Sequence, residues 1–267
     1  MSRIPARFGE LQATGRTALV SFITAGDPQP TLTVDLMHAM VKAGADILEL
    51  GVPFSDPMAD GPVIQLATER ALAHGVSLNS VLDMVREFRQ QDDQTPIVLM
   101  GYLNPVEVMG YATFAERAAA AGVDGVITVD LPPEEGNELV SALKAHQVAP
   151  VFLLSPTSTE ERIRKITQTS EGFVYYVSFK GVTGANQLDV QSVACKLDEI
   201  RQLSDLPIGV GFGIRDAESA AAVAAVADAV VVGSAVVKCI ENNLGNNERI
   251  LSEITELLSA MRNAMDR

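Results

Sequence analysis

Two carboxylate residues stand in unlike surroundings a few positions apart. Glu49 lies within the apolar run 47–51, which predicts a β-strand, and Asp60 lies in the proline- and glycine-rich loop 53–62 that follows it. Two carboxylates that meet at one site can divide proton transfer from charge stabilisation. The structural alternatives are a core role for Glu49, bonded to a neighbouring hydroxyl, and an N-cap role for Asp60 at a helix beginning near Pro62. Because an ionised carboxylate is costly to bury, a functional role is favoured for Glu49.

The two carboxylates are expected to differ in charge. An apolar strand favours the neutral form of Glu49, which brings its pKa towards neutral pH and suits it to proton transfer. Asp60, on a polar loop, is expected to remain ionised. The three histidines, His38, His74 and His146, fall on predicted helices or at their ends, and the two cysteines are isolated. Neither a histidine base nor a metal site is therefore predicted.

Glycine-containing segments follow three of the predicted strands. Segments 211–214 (Gly-Phe-Gly-Ile) and 233–235 (Gly-Ser-Ala) follow the seventh and eighth, where barrel proteins often bind phosphate through backbone amides. The alternative is that these glycines only form tight turns. Segment 181–184 (Gly-Val-Thr-Gly) follows the sixth strand and predicts a lid, 179–189, that closes over the substrate.

Eight short Val- and Ile-rich runs alternate with helical segments. The predicted strands are 18–23, 47–51, 97–101, 125–129, 149–154, 173–178, 208–211 and 229–232. The predicted helices are 32–43, 63–74, 78–91, 111–121, 134–146, 160–169, 190–203 and 217–226, with a short helix that opens at 233–235 and a helical tail at 248–265. Strands without a polar face must be covered on both sides, which indicates a parallel sheet. Eight such βα units in 267 residues predict an α/β fold: a single (β/α)8 TIM-barrel domain, 1–267, with extra helices.

The predicted barrel would bring the candidate residues together, because active sites of barrel enzymes lie on the loops that follow the strands. Glu49, Asp60 and the three glycine segments all fall there. Tyr102, which follows the third predicted strand, and Tyr175, inside the sixth, are expected to form pocket walls rather than to act as catalysts.

Composition limits the classes of partner. The net charge is −14 with no basic run, which argues against nucleic acid and anionic membranes as partners. Hydrophobic residues make up 47% of the chain, and no segment is predicted to span a membrane or to act as a signal peptide. We therefore expect a cytoplasmic enzyme that binds a small phosphorylated molecule.

The motifs resemble those of the tryptophan synthase alpha subunit family. Segment 49–65, Glu-Leu-Gly-Val-Pro-Phe-Ser-Asp-Pro-Met-Ala-Asp-Gly-Pro-Val-Ile-Gln, is the longest and most specific of them. Segments 22–28 (Phe-Ile-Thr-Ala-Gly-Asp-Pro) and 101–105 (Gly-Tyr-Leu-Asn-Pro), together with the three glycine segments, occur in the order of the family. The resemblance covers essentially the whole chain.

The resemblance implies a lyase that cleaves indole-3-glycerol phosphate to indole and glyceraldehyde 3-phosphate by a retro-aldol reaction. It makes Glu49 the general acid and base and Asp60 the partner of the indole N–H. It implies substrate-binding roles for eight further residues: Phe22, Tyr102, Tyr175, Thr183, Gly184, Gly213, Gly233 and Ser234. It also implies a pyridoxal-phosphate beta subunit in an α2β2 assembly, with no cofactor or metal on this chain.

Two other functions stay open. Lys180, near the end of the sixth predicted strand, could form a Schiff base in a class I aldolase. The chain could also be a catalytically inactive barrel that serves as a binding or regulatory subunit, although the presence of both Glu49 and Asp60 argues against this.

Overall fold

The computed structural model describes residues 2–178, 189–211 and 213–267. Its strands are β1 (Ala18–Thr24), β2 (Ile47–Gly51), β3 (Ile97–Gly101), β4 (Gly125–Thr128), β5 (Ala149–Val151), β6 (Leu153–Leu154), β7 (Val174–Val177), β8 (Ile208–Gly211) and β9 (Ala229–Val232). All pairings between neighbouring strands are parallel, and the sheet runs in the order β5-β4-β3-β2-β1-β9-β8-β7-β6. This confirms the TIM-barrel prediction.

The fifth predicted strand, 149–154, is in fact two short strands. The chain changes neighbour at Phe152, because β5 pairs with β4 whereas β6 pairs with β7. The two edges of the sheet are therefore joined by the chain itself. The Phe152 carbonyl accepts a hydrogen bond from the Tyr175 amide at 3.1 Å, which continues the ladder across the seam.

The helices are α1 (Ile4–Ala13), α2 (Thr33–Lys42), α3 (Pro62–Ala73), α4 (Leu78–Phe88), α5 (Leu103–Met109), α6 (Tyr111–Ala121), α7 (Asn137–Ala145), α8 (Glu160–Thr169), α9 (Val190–Arg201), α10 (Ala217–Ala224), α11 (Ser234–Asn242) and α12 (Asn247–Met265). Helix α1 precedes β1, α11 and α12 follow β9, and the other helices lie between the strands along the chain. A short 3₁₀ helix, Pro30–Leu32, precedes α2. No helix in the described part of the chain has the length and apolar content needed to cross a membrane.

Several predicted helix ends are wrong by two or three residues. Helix α7 begins at Asn137 rather than at residue 134, because the preceding residues form a turn in which the Glu135 amide donates to the Pro132 carbonyl. Helix α4 ends at Phe88 rather than at residue 91. There the Asp92 carboxylate accepts the Gln94 and Thr95 amides and turns the chain into β3.

Helices α1 and α5 are absent from the sequence-based prediction. Helix α1 buries Ile4, Phe8 and Leu11, whose spacing places them on one helix face. Helix α5 contains Pro105 in its first turn, where proline is tolerated because the amides there need no helical partner. The Leu103 amide at its start donates to the Asp130 carboxylate at 2.8 Å.

Candidate active site

The inside of the barrel is closed at the bottom and apolar at the top. One buried cluster fills the lower barrel with strand residues and one face of α1: Ile4, Phe8, Leu11, Ala18, Val20, Ile47, Val98, Ile127, Ala149, Val151, Phe173, Ala229 and Val231. Four side chains pack on this cluster but remain partly exposed: Met100, Val129, Leu153 and Tyr175. They form an apolar rim that can contact a planar aromatic ligand.

Glu49 points into the barrel at the level of this rim. Its side chain follows Ile47 by two residues, and alternation along β2 places both on the inner face. The residue is 1% exposed, and its Oε2 has no hydrogen-bond partner among the described residues. Burial raises the pKa of this carboxyl from its ordinary 4.5 to about 8. Glu49 is therefore a neutral acid at pH 7, with an oxygen free to exchange a proton.

Tyr175 lies beside this carboxyl. Burial raises the pKa of its hydroxyl well above its ordinary value, and the negative charge on ionised Glu49 raises it further. The hydroxyl therefore stays protonated across the physiological range. Its ring occupies the space that a Cβ atom at Gly211 would need, so a glycine on β8 is required for this side chain to lie in the barrel.

Asp60 is held in its loop next to Tyr102. The Tyr102 hydroxyl accepts a hydrogen bond from the Ala59 amide at 3.0 Å and hydrogen-bonds the Asp60 carboxylate. Burial raises the pKa of Asp60, and the bond from Tyr102 opposes that rise. The Tyr102 ring packs against Phe54 at a centroid distance of 5.4 Å, while burial and the Asp60 charge raise the pKa of its hydroxyl to about 12.

The helix-capping alternative for Asp60 is wrong. Helix α3 does begin at Pro62, but its N-cap residue is Gly61, and no side-chain hydrogen bond caps it within the described residues. The environment of Asp60 also differs from the polar loop that the sequence suggested, because its carboxylate is partly buried against an aromatic residue. Its carboxylate is directed to Tyr102 rather than to the helix amides.

Phe22 links the two ends of the site. Its Cα pairs in register with Glu49, and its ring lies against Gly51 on the neighbouring strand. The side chain also lies next to Gly233, where an added Cβ atom would be 3.7 Å from it. Phe22 is 5% exposed and packs with Val237 of α11. One aromatic side chain thus lies between the end of β2 and the loop after β9.

The loops after β8 and β9 present backbone groups. Gly213 adopts a φ of +80°, a conformation that a residue with a Cβ rarely adopts. Gly233 is the N-cap residue of α11 and Ser234 its first residue, and no side chain caps this helix among the described residues. An uncapped helix N-terminus offers N–H donors and the positive end of a dipole to an anion.

Comparisons with known proteins agree over the whole chain. The family model described as tryptophan synthase alpha chain matches residues 8–266. The tryptophan synthase alpha chain of Thioalkalivibrio sulfidiphilus is 64% identical over 266 residues and is covered over 100% of both chains. The crystal structure of tryptophan synthase subunit alpha from Legionella pneumophila str. Paris has a TM-score of 0.93 at 47% identity, over 100% of this chain and 99% of that chain. This chain belongs to the tryptophan synthase alpha chain family.

A tryptophan synthase alpha chain is a lyase that cleaves indole-3-glycerol phosphate to indole and glyceraldehyde 3-phosphate in tryptophan biosynthesis. Membership of this family implies a beta-subunit partner, and pyridoxal phosphate belongs to that beta subunit. The apolar rim matches the indole half of such a substrate in chemistry, and the uncapped start of α11 matches the phosphate half. In the described residues, no three His, Cys, Asp or Glu side chains are grouped in a way that could hold a metal ion.

Two residues of the predicted site, and the lysine of the aldolase alternative, lie outside the described residues. Thr183 and Gly184, predicted to contact the substrate, and Lys180, the candidate for a Schiff base, lie outside the described residues, as does most of the predicted lid 179–189. Their roles stay predictions. The other eight predicted residues all lie at the upper end of the barrel or on the loops that follow its strands.

Sequence reasoning overlooked three rim residues of this chain, Met100, Val129 and Leu153. The sequence did carry a signal for these residues, because each lies within one residue of the end of a strand and continues its inward-facing alternation. Apolar residues in apolar strands are nevertheless indistinguishable from core residues until the height of each within the barrel is known.

Proposed function

We propose that this chain cleaves indole-3-glycerol phosphate with Glu49 as the proton-transfer residue and Asp60 as the group that stabilises charge on the indole ring. The observation that carries the proposal is the Glu49 carboxyl, which is buried at the aromatic rim, has an oxygen without a partner among the described residues and has a pKa of about 8. A proton donor of this strength is suited to a reaction near neutral pH.

The cleavage requires two proton movements. Neutral Glu49 donates its proton to the indole ring carbon that carries the glycerol chain, and the ring becomes positively charged. The resulting carboxylate then removes the proton from the adjacent hydroxyl, the new carbonyl forms, and the electron pair of the breaking carbon–carbon bond returns to the ring. Glu49 ends the cycle protonated, so one residue serves as acid and then as base.

Asp60 acts on the other side of the ring. Its carboxylate accepts the indole N–H and stabilises the positive charge that the first proton transfer creates. The Tyr102 hydroxyl lowers the pKa of Asp60 against the effect of burial and so favours the ionised form that this role needs. Phe22, Tyr102 and Tyr175 provide the walls around the indole ring.

The phosphate is bound by backbone amides at Gly213, Gly233 and Ser234, together with Gly184, while Thr183 braces Asp60 when the lid closes. The positive φ of Gly213 and the uncapped N-terminus of α11 support the assignment for the first three. With a net charge of −14, the protein has no long-range attraction for the phosphate and depends on these local donors.

The finer features of the assembly are proposed on the same basis. The whole chain, 1–267, acts as one domain in the cytoplasm, it carries no cofactor or metal of its own, and two alpha chains associate with two beta chains. The loop 53–62 follows β2 on the side where indole would leave the barrel, and the predicted lid 179–189 is expected on the same side, so docking of the beta subunit there would raise activity by ordering both.

Indole release from indole-3-glycerol phosphate by the purified chain tests the proposal, with and without a beta subunit. Gly213→Val and Ser234→Asp should each raise the KM at least roughly tenfold, because they block or repel the phosphate. Unchanged affinity for glyceraldehyde 3-phosphate in both variants would remove the phosphate from these loops. A beta subunit that neither co-purifies with the chain nor changes its rate would refute the assembly.

Borohydride reduction in the presence of the substrate tests the aldolase alternative. No mass adduct is expected, because a lysine in a glycine-containing loop is easily solvated and stays charged. A stable adduct on Lys180 would instead assign the reaction to the Schiff-base class.

A further inference from the structure

We propose that Gln65 is a positioning residue that holds Asp60 in its catalytic orientation through two main-chain hydrogen bonds. The inference rests on the role proposed above for Asp60. The contribution of Gln65 is to fix the backbone from which the Asp60 side chain extends.

The geometry of the loop shows how Gln65 acts. Its side-chain Nε2 donates to the main-chain carbonyl of Asp60 at 2.8 Å and reaches the carbonyl of Pro57 at 3.5 Å. The Asp60 amide itself donates to the Pro57 carbonyl at 3.0 Å. One amide group thus bridges both ends of the turn 57–60, and the Asp60 peptide is restrained on its carbonyl side.

Tyr102 provides a second side-chain restraint on the same turn. Its hydroxyl accepts the Ala59 amide at 3.0 Å and hydrogen-bonds the Asp60 carboxylate. Gln65 belongs to α3 and Tyr102 follows β3, so side chains from two separate elements hold the turn that carries Asp60. With either side chain removed, the loop retains only one of these two side-chain anchors.

Helix α3, which carries Gln65, is anchored to the barrel by packing and by an ion pair. Ala67 and Ala71 are buried on its inner face. Arg70 forms a bidentate ion pair with the fully buried Asp27, with N···O distances of 2.6 and 3.0 Å. Asp27 belongs to the loop after β1, so α3 is fixed to the barrel. Because the helix is anchored in this way, the position of the Gln65 amide determines the position of the Asp60 carbonyl.

A donor is the chemical requirement at this position. Two carbonyl oxygens face the Gln65 side chain, so an NH₂ group with two hydrogens satisfies both. Glutamate has the same shape but, when ionised, presents only acceptors to those carbonyls. Methionine has a similar length and no donor. Both substitutions remove the anchor without deleting the volume of the side chain.

The test measures steady-state indole formation by the full-length Gln65→Glu and Gln65→Met variants, with Glu69→Gln on the exposed face of the same helix as control. We expect kcat to fall roughly tenfold in both, the cost of about one hydrogen bond, with KM changed by less than about threefold. Glu69→Gln should match the wild type. Thermal unfolding of each variant checks that the loss does not reflect a smaller folded fraction.

The Asp60→Asn background separates positioning from general structural damage. If Gln65 acts through Asp60, adding Gln65→Met to Asp60→Asn should cost less than about threefold further. A full loss of about tenfold in that background, or wild-type kcat in Gln65→Met alone, would overturn the inference. Wild-type activity in Asp60→Asn alone would instead refute the role of Asp60, so the two failures are distinguishable.

Discussion

Replacement of Glu49 by glutamine should abolish most of the turnover and at the same time stabilise the protein. Glutamine has nearly the same shape as the protonated carboxyl but cannot exchange a proton. We expect kcat to fall on the order of 10²–10⁴-fold with the KM largely kept, because the residue acts in the proton transfers rather than in ground-state binding. A structural core residue would show the opposite pattern, with stability lost and turnover of the folded molecules retained.

The gain in stability follows from the pKa. Burial raises the pKa of Glu49 from 4.5 to about 8, so the folded state binds this proton more tightly than the unfolded chain does. The stabilisation that this proton contributes is present below the unfolded pKa and is lost as the pH rises through the folded pKa. The free energy of unfolding changes by about 1.4 kcal/mol per pH unit in this range. Between about pH 5 and about pH 7, that of the wild type should therefore fall by roughly 2–3 kcal/mol relative to that of Glu49→Gln.

Denaturant unfolding of the wild type and Glu49→Gln across this pH range measures the difference. The two free energies of unfolding should converge towards the acid end and diverge steadily above it. Glu116→Gln, at an exposed position on α6, serves as control and should follow the wild type at every pH. Parallel curves for the wild type and Glu49→Gln would mean that the carboxyl is not held neutral by burial, and the acid role would lose its physical basis.

The pH dependence of catalysis tests the same group independently. The value of kcat/KM reports ionisations in the free enzyme, so it should fall above about pH 8 as Glu49 loses the proton that it must donate. An alkaline limb that starts more than about two pH units lower would show that Glu49 has an ordinary pKa and that its surroundings are more polar than the structure indicates.

Two further predictions concern the surroundings of the site. Tyr102→Phe keeps the aromatic ring but removes the hydroxyl from Asp60, so kcat/KM for indole formation should fall about tenfold, and an unchanged value would show that this hydrogen bond does not serve catalysis. Arg70→Met leaves Asp27 buried without its partner and should lower the free energy of unfolding by about 3–5 kcal/mol in denaturant titrations. The exposed pair of Arg86 is the control, since Arg86→Met should cost less than about 1 kcal/mol; equal losses in the two variants would refute the argument from burial.

The bounds of the elements that repeat a simple pattern could be predicted from the sequence. Strands β2, β3, β8 and β9 begin and end at the predicted residues, because each apolar run follows an Asp or a Pro and ends at a Gly or just before one. Helix α1 was overlooked although its apolar spacing was regular, because it lies at the chain start without a preceding strand. The break at Phe152 could not be seen in the sequence, since it arises from barrel closure and not from any local signal.

The candidate site was predictable only in part, because some of its contacts also form only when distant elements pack together. Glu49 is unusual within its own strand, so its residue type alone marks it. The two anchors of Asp60 are not marked in this way, because the Tyr102 hydroxyl and the Gln65 amide meet the loop only after β3 and α3 have packed against the barrel. A residue that works through another residue leaves no pattern of its own in a single sequence.

Two buried carboxylates in the barrel show which property distinguishes a catalytic acid. Asp124 is as inaccessible as Glu49, but its oxygens accept bonds from the Arg3 and Ile97 amides and from the guanidinium groups of Arg3 and Arg89. A carboxylate surrounded by so many donors has no oxygen left for a substrate proton. Glu49 retains one oxygen without a partner among the described residues, and it lies where the barrel opens. Burial alone is therefore common to structural and catalytic acids, and the oxygen left unpaired at the upper rim is what gives Glu49 the capacity to transfer a proton.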